Sequence, residues 1–342
     1  MTPIRTAVVG YGTSGAVFHA PLLAADDAFE VSFVVTGSPA RAAAAASAHP
    51  GAVVVPSLDA LFRRAGDIDL VVIGTPHATH APIAHRAVEA GKHVVVDKPI
   101  AVSSQEAAAM VEHAGRAGVV LTVFQNRRWD GDFLTLKGLL ATSQLGEVRS
   151  LDSAFEWYRP NPTKPWKDSA DPGAGGGVVY DIAPHLLDQA VQLFGPVREV
   201  HAELDRRRPG AVTDDDSFLA VTHDSGVRVR LWMSSVAPVP RPRFRLVTDT
   251  GVLRFDGLDP QESQLAAGQR PRDVGYGLHE DHRTATFVGP DGVWEVEVGA
   301  GRYPEFYRGL AEAIRSGAPA PVDPADSIAV LALIEAAVTS AR

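Results

Sequence analysis

Ala7-Val8-Val9-Gly10-Tyr11-Gly12-Thr13-Ser14-Gly15 is the stretch from which the rest of the chain is read. Three apolar residues run into Gly10, and Gly10, Gly12 and Gly15 then fall on the spacing G-x-G-x-x-G. Between a strand and a helix, the first glycine permits a tight turn and the second lets backbone approach a pyrophosphate. The third lets helix and strand pack closely, with phosphates at the helix N-terminus. A bare match is also what a glycine-rich turn looks like. The apolar strand directly before it favours a dinucleotide site, with Thr13 and Ser14 part of the same turn. Pro21 falls where the first helix should continue, and its ring disrupts the bond to the Val17 carbonyl. A kink or break is therefore expected near His19-Ala20-Pro21.

Outward from this turn, short apolar runs alternate with alanine-rich stretches. Residues 7–9, 31–35, 53–55, 70–73, 93–96 and 119–124 are nearly all apolar, as strands buried on both faces of a parallel sheet are. Residues 40–48, 58–64, 81–90 and 104–117 carry helix formers. Six strands with intervening helices predict an α/β Rossmann domain, a doubly wound parallel sheet, over residues 1–125. The rhythm changes near Asn126. A helix (132–142), a strand (146–157) and a Pro/Gly-rich loop (159–176) precede a second helix, 178–194. Beyond Pro196 the pattern has a period of two, in residues 197–204, 216–222, 227–234, 244–248 and 252–255. Residues 257–283 read as an irregular excursion, 293–298 as one more strand, and 303–316 and 325–341 as closing helices. Residues 126–342 are thus expected to form an α+β domain on a large, mostly antiparallel open sheet, its C-terminal helix packing back on the first domain.

The bulk numbers limit the function. At 342 residues there is room for two cores, and 32 basic against 41 acidic residues leave a net charge of -9. That balance argues against nucleic acid or a membrane surface as the main partner. The absence of cysteine excludes disulfides, thiolate catalysis and cysteine-based zinc sites. No signal-peptide pattern opens the chain and no apolar run approaches the roughly 20 residues of a membrane span, so a cytoplasmic location is expected.

Chemistry-bearing residues cluster after the predicted strands. The second strand leads into Thr36-Gly37-Ser38-Pro39-Ala40-Arg41, without the acid that would bond a ribose 2′-hydroxyl. Thr36 and Ser38 offer hydroxyls and Arg41 can pair with a 2′-phosphate, so NADP is expected over NAD. Ser38 as N-cap, Pro39 at N1 and a solvated Arg41 is the plainer reading, and both can hold. The fourth strand leads into Thr75-Pro76-His77-Ala78-Thr79-His80, and the fifth into Asp97-Lys98-Pro99. Lys98 stands where open α/β sheets place ligands, although a lysine at a strand exit is often only a surface cap. Asp181 and His185 lie four apart on one face of the second predicted helix, where a carboxylate can orient an imidazole and raise its basicity. Such a pair is otherwise a structural hydrogen bond.

Together these motifs resemble the glucose–fructose oxidoreductase/inositol dehydrogenase (Gfo/Idh/MocA) family over essentially the whole chain. Its Glu-Lys-Pro stands here as Asp97-Lys98-Pro99 and its Asp-x-x-x-His as Asp181 to His185. Residues 12–23, 94–99, 124–133 and 259–268 look like the branch containing NADP-dependent scyllo-inositol dehydrogenases. The resemblance implies a nicotinamide cofactor, with Thr75, Pro76, His77, His80, Asp97, Lys98 and Asn126 lining its site beside the glycine turn. It implies that Lys98 and His185 flank the reacting hydroxyl and that Asp181 supports them. A polyol or sugar substrate is expected, touched also by Arg127, Tyr158 and Trp166. A homodimer or homotetramer through the open sheet is expected too. Asp97 replaces the commoner Glu, and His77 stands where the family usually has Asn. Two other readings compete. A metal site built on His77/His80 or Asp181/His185/Asp188 lacks a tight ligand triplet, so no metal is expected. A dinucleotide-binding regulator without activity would have no need of Lys98, Asp181 and His185 together.

Overall fold

A computed structural model describes residues 2–161, 175–281 and 283–341. It forms two compact units: Met1–Asn126 with Gln261–Gly277 and Arg302–Ile328, and Arg127–Pro260 with Leu278–Gly301 and Ala329–Arg342.

The first unit is built on β1 (Ile4–Val9), β2 (Phe29–Val35), β3 (Val53–Val55), β4 (Leu70–Ile73), β5 (His93–Asp97) and β6 (Leu121–Phe124). They pair in parallel in the order β3-β2-β1-β4-β5-β6, a Rossmann sheet whose strand order reverses between β1 and β4. Every residue of β4 and β6 is buried, which is why these strands read as unbroken apolar runs. The expected irregularity of the first helix is present. Ser14–His19 form a π-helical turn, and the Ala20 amide reaches back five residues to the Gly15 carbonyl. The chain then tightens into α1 (Ala20–Ala24), with Pro21 in its first turn, where a missing N–H costs nothing.

The second unit carries β7 (Val148–Glu156), β8 (Val197–Asp205), β9 (Asp216–His223), β10 (Arg228–Ser234), β11 (Phe244–Thr248), β12 (Val252–Phe255), β13 (Thr284–Gly289) and β14 (Gly292–Glu297). Their order is β14-β13-β12-β11-β7-β10-β9-β8, antiparallel except for the β7–β10 pair. The long helix Val178–Phe194 packs on β7, β9 and β10. Alternating burial along β9 and β10 leaves the other face of the sheet with Asp152, Arg230, Trp232 and Arg245.

Residues 257–283 correct the expectation of an irregular excursion. They contain the helix Gln261–Ala266, which packs against the π turn Ser14–His19 within the first unit. Its anchor is tertiary: Gln261 Oε1 accepts from the Tyr303 amide at 2.8 Å. Strand β13 also went unread, because Thr284-Ala285-Thr286 carries little apolar signal before Phe287. No described helix is long and apolar enough to cross a membrane.

Candidate active site

The glycine turn is shaped for close backbone approach. Gly10 has φ +90°, and a Cβ there would stand 2.6 Å from the Gly74 carbonyl oxygen. A Cβ on Gly15 would meet the Gly10 carbonyl oxygen at 2.0 Å. At Gly12 the nearest atom to such a Cβ is Arg41 Nη1, 3.9 Å away, so the guanidinium overhangs the second glycine. Ser38 accepts from the Arg41 amide at 3.4 Å and Pro39 opens the following helix, while Thr36 Oγ1 accepts from the Ser38 amide at 3.3 Å. Capping and proximity to the phosphate turn therefore coexist at Arg41.

The loops after β4 and β5 are joined by His80, which is fully buried. Its Nδ1 lies 2.9 Å from the Pro99 carbonyl and its Nε2 2.9 Å from the Thr75 carbonyl. Both partners are acceptors, so both bonds are made in full only by the protonated ring. Burial opposes that charge and holds the pKa below its ordinary value, partly offset by Asp97 and the two carbonyls. His80 thus ties two loops through its ring, while the buried His77 stands beside it, ring centroids 5.8 Å apart.

Asp97 links the phosphate turn to the lysine. Its carboxylate accepts from Ser14 Oγ at 2.5 Å and from the Lys98 backbone amide at 2.7 Å. Burial works to lift this carboxyl, but His19, Lys98, the Ser14 hydroxyl and His80 hold it below the usual range. His19 is itself driven down to about 4 by burial, so near pH 7 its ring is neutral. Lys98 and the Ser14 hydroxyl then carry most of the effect. His19 Nδ1 is 2.7 Å from the Tyr307 hydroxyl and Nε2 is 3.9 Å from Asp97. Burial and Asp97 keep Tyr307 protonated, so it can donate to Nδ1, which puts the ring proton on Nε2, toward Asp97. Lys98 is half-buried, and Asn126 is buried at the end of this unit.

In the second unit the helix Val178–Phe194 presents Asp181 and His185 one turn apart. Its start is fixed by Asp214, whose backbone carbonyl accepts from Val178 at 3.0 Å and whose Oδ2 accepts from Val179 at 2.8 Å. Gly177 is required there: φ is +94°, and a Cβ would stand 1.9 Å from Asp214 Oδ1. His185 is 6% exposed. Arg127 is buried, 3.6 Å from Asp130 and stacked over Phe155 at 4.8 Å. Burial pushes the Asp130 carboxyl well above its ordinary range, further than Arg127 draws it down. Tyr158 is exposed and bridges to Val236. Trp166 lies outside the described residues.

The NAD-binding Rossmann-fold model of an oxidoreductase family matches residues 4–125, and the Gfo/Idh/MocA C-terminal domain matches residues 133–254. The chain belongs to the Gfo/Idh/MocA oxidoreductase family. It is 39% identical to the Escherichia coli (strain K12) uncharacterized oxidoreductase YdgJ, over 99% of this chain and 96% of that one. It is 33% identical to Bacillus subtilis (strain 168) scyllo-inositol 2-dehydrogenase (NADP(+)) IolW, over 99% and 94%. The solved structure of Bacillus subtilis YvaA superposes with a TM-score of 0.91 at 32% identity, covering 99% of this chain and 96% of that one. As a Gfo/Idh/MocA oxidoreductase the chain has an NAD-binding domain, and the cradle of Gly10 and Gly15 at the sheet's reversal fits a dinucleotide.

Sequence reading missed Asp214, which fixes the start of the helix Val178–Phe194, Tyr307, which bonds His19, and the buried Arg243, whose Nη2 donates to Gln189 on that helix at 2.6 Å. Asp214 sits in Thr213-Asp214-Asp215-Asp216, where an acidic run reads as a solvated turn. Tyr307 and Arg243 act from far along the chain. Tyr307 alone had a local signal, its place on the apolar face of a closing helix.

Proposed function

We propose that this oxidoreductase transfers hydride between NADP and a secondary alcohol or ketone of a cyclic polyol, such as an inositol or a pyranose. The bound nicotinamide supplies the hydride chemistry. His185 takes the hydroxyl proton during oxidation, a task that an imidazole can perform as general base. Asp181, one turn away, orients it. The Lys98 ammonium stabilises the developing alkoxide, or polarises the carbonyl in reverse. The observation that carries the reading is the Asp97 link, which couples the phosphate turn directly to the backbone of Lys98. NADP preference rests on Arg41 over Gly12 and on the lack of an acid after β2. The name of the relative IolW supports both cofactor and substrate class. The open face of the eight-stranded sheet is the surface through which the chain would form a homo-oligomer.

A panel of inositols, aldoses and short alcohols, run with NADP+ and NAD+, tests this. At least one cyclic polyol should be oxidised, and short alcohols should be slower by orders of magnitude. Each buried polar group that they leave unpaired costs roughly 1–3 kcal/mol. NADPH should bind more tightly than NADH, and Arg41→Ala should reduce that difference about tenfold. Equal affinities, or efficient turnover of a simple alcohol, would overturn the proposal.

A further inference from the structure

The helix that carries Asp181 and His185 has a weak point beside the histidine. Pro184 lies within it and has no N–H, so the backbone bond to the Tyr180 carbonyl cannot form. The helix is thus divided into a first turn held by Asp214 and a second portion starting at His185. A proline in a helix interior usually allows a kink. What fixes the second portion is visible on the next turn.

Asp188 and Gln189 follow His185 by three and four residues, on the same face of the helix. Asp188 is 2% exposed and takes a two-pronged contact from Arg128, Nε to Oδ2 at 2.8 Å and Nη2 to Oδ1 at 2.6 Å. Gln189 is equally buried and donates Nε2 to the Arg127 carbonyl at 2.8 Å. Its Oε1 accepts from Arg243 Nη2 at 2.6 Å. Arg243 is 1% exposed, donates Nη1 to Ser153 Oγ on β7 at 2.7 Å, and has Nε 3.3 Å from Asp132 Oδ2. Directional bonds from two segments, Arg127–Arg128 and Arg243, therefore converge on one helical turn. Apolar packing alone would tolerate rotation of the helix about its axis. These bonds resist it, because planar guanidinium and amide groups bond along fixed directions.

We infer that Arg128 and Arg243 are positioning residues for His185, acting through Asp188 and Gln189 to fix the rotation of the helix beyond Pro184. The inference rests on the reading of His185 as the proton acceptor. The lever is short. A rotation of about 10° moves a side-chain tip at a radius of about 6 Å by roughly 1 Å, and a misplacement of that size can cost about a hundredfold in rate.

Gln189→Met is the most direct test, since it removes both side-chain hydrogen bonds while keeping volume and adding no unpaired charge. The variant should keep its NADPH affinity within about twofold, while kcat for the best polyol falls about 10- to 100-fold. Asp188→Asn, which keeps one acceptor for Arg128, should lose less. Gln189→Glu keeps an acceptor for Arg243 and should recover part of the loss. The His185 imidazole, followed by NMR titration, should shift its midpoint by half a unit or more in Gln189→Met. That readout needs no turnover. If the wild type oxidises no polyol, the functional reading fails while the titration still decides the positioning claim. A Gln189→Met protein with a lowered Tm, unchanged kcat and an unmoved His185 titration would overturn the inference.

Discussion

The end of β5 and the helix Val178–Phe194 hold chemically similar groups by different means. At β5, Lys98 is placed by its own neighbourhood: the preceding residue's carboxylate bonds its amide and reaches Ser14 on the phosphate turn. The parallel sheet fixes both points, because β1 and β5 each pair with β4. His185 stands on a helix interrupted by a proline, and its rotation is set by Arg128 and Arg243, 57 and 58 residues away in sequence. The first arrangement hangs on one carboxylate whose two partners are set by the strands flanking β4 in a parallel sheet. The second depends on buried ionic and amide contacts, where loss of one partner leaves another buried group unpaired, at a cost of about 3–5 kcal/mol when it is charged.

The sharpest break should come from the first region. Gly15→Val places a branched side chain where even a Cβ would lie 2.0 Å from the Gly10 carbonyl oxygen. Dinucleotide binding should be lost, by more than about a hundredfold in a fluorescence titration, while the second unit keeps its amide protection. Retained binding would mean that the glycine turn is not the phosphate site.

The two regions should also respond to pH in opposite directions. His19 has a folded pKa of about 4 against an ordinary value of 6.5, so the folded state binds fewer protons. The stability it contributes is complete above about pH 6.5 and is lost as pH falls toward 4, on the order of 3 kcal/mol in all. Asp130 and Asp214 are raised by burial, so the folded state binds more protons there. Their contribution is present below the ordinary carboxyl pKa of 3.8 and is lost as pH rises through their folded values. Hydrogen exchange, corrected for intrinsic rates, should show the Ser14–His19 turn loosening on acidification from pH 7 to 5, and His19→Gln should blunt that change. Segments around Asp130 and Asp214 should instead gain protection as pH falls through their raised folded pKa values. Parallel loss in both regions would remove the contrast.

How much was legible follows the same division. The Rossmann order needed only the glycine spacing and six apolar runs, because buried parallel strands have little choice of residue. The break at Pro21 was readable from the missing N–H alone. On the helix, Asp181 and His185 were readable as an i, i+4 pair. Their supports were not, since Arg243 in Pro240-Arg241-Pro242-Arg243 looks like a solvated loop cation and only tertiary packing buries it. His80 was legible as a polar residue after β4, but not its bonds from both ring nitrogens to the Pro99 and Thr75 carbonyls, which only the fold brings together. The helix Gln261–Ala266 was missed because six residues, anchored through one glutamine, carry too little periodicity to stand out.

In the proposed division of labour, the glycine turn and Arg41 of the first unit hold the cofactor, and His185 on the second supplies the base. Paired measurements on His185→Asn, NADPH affinity by titration and polyol oxidation by NADPH formation, test it most directly. The predicted result is an NADPH Kd within about twofold of wild type with kcat lower by about 10²- to 10⁴-fold, and loss of the acid limb of the rate profile. A variant that oxidises the polyol at the wild-type rate, with the acid limb intact, would contradict it.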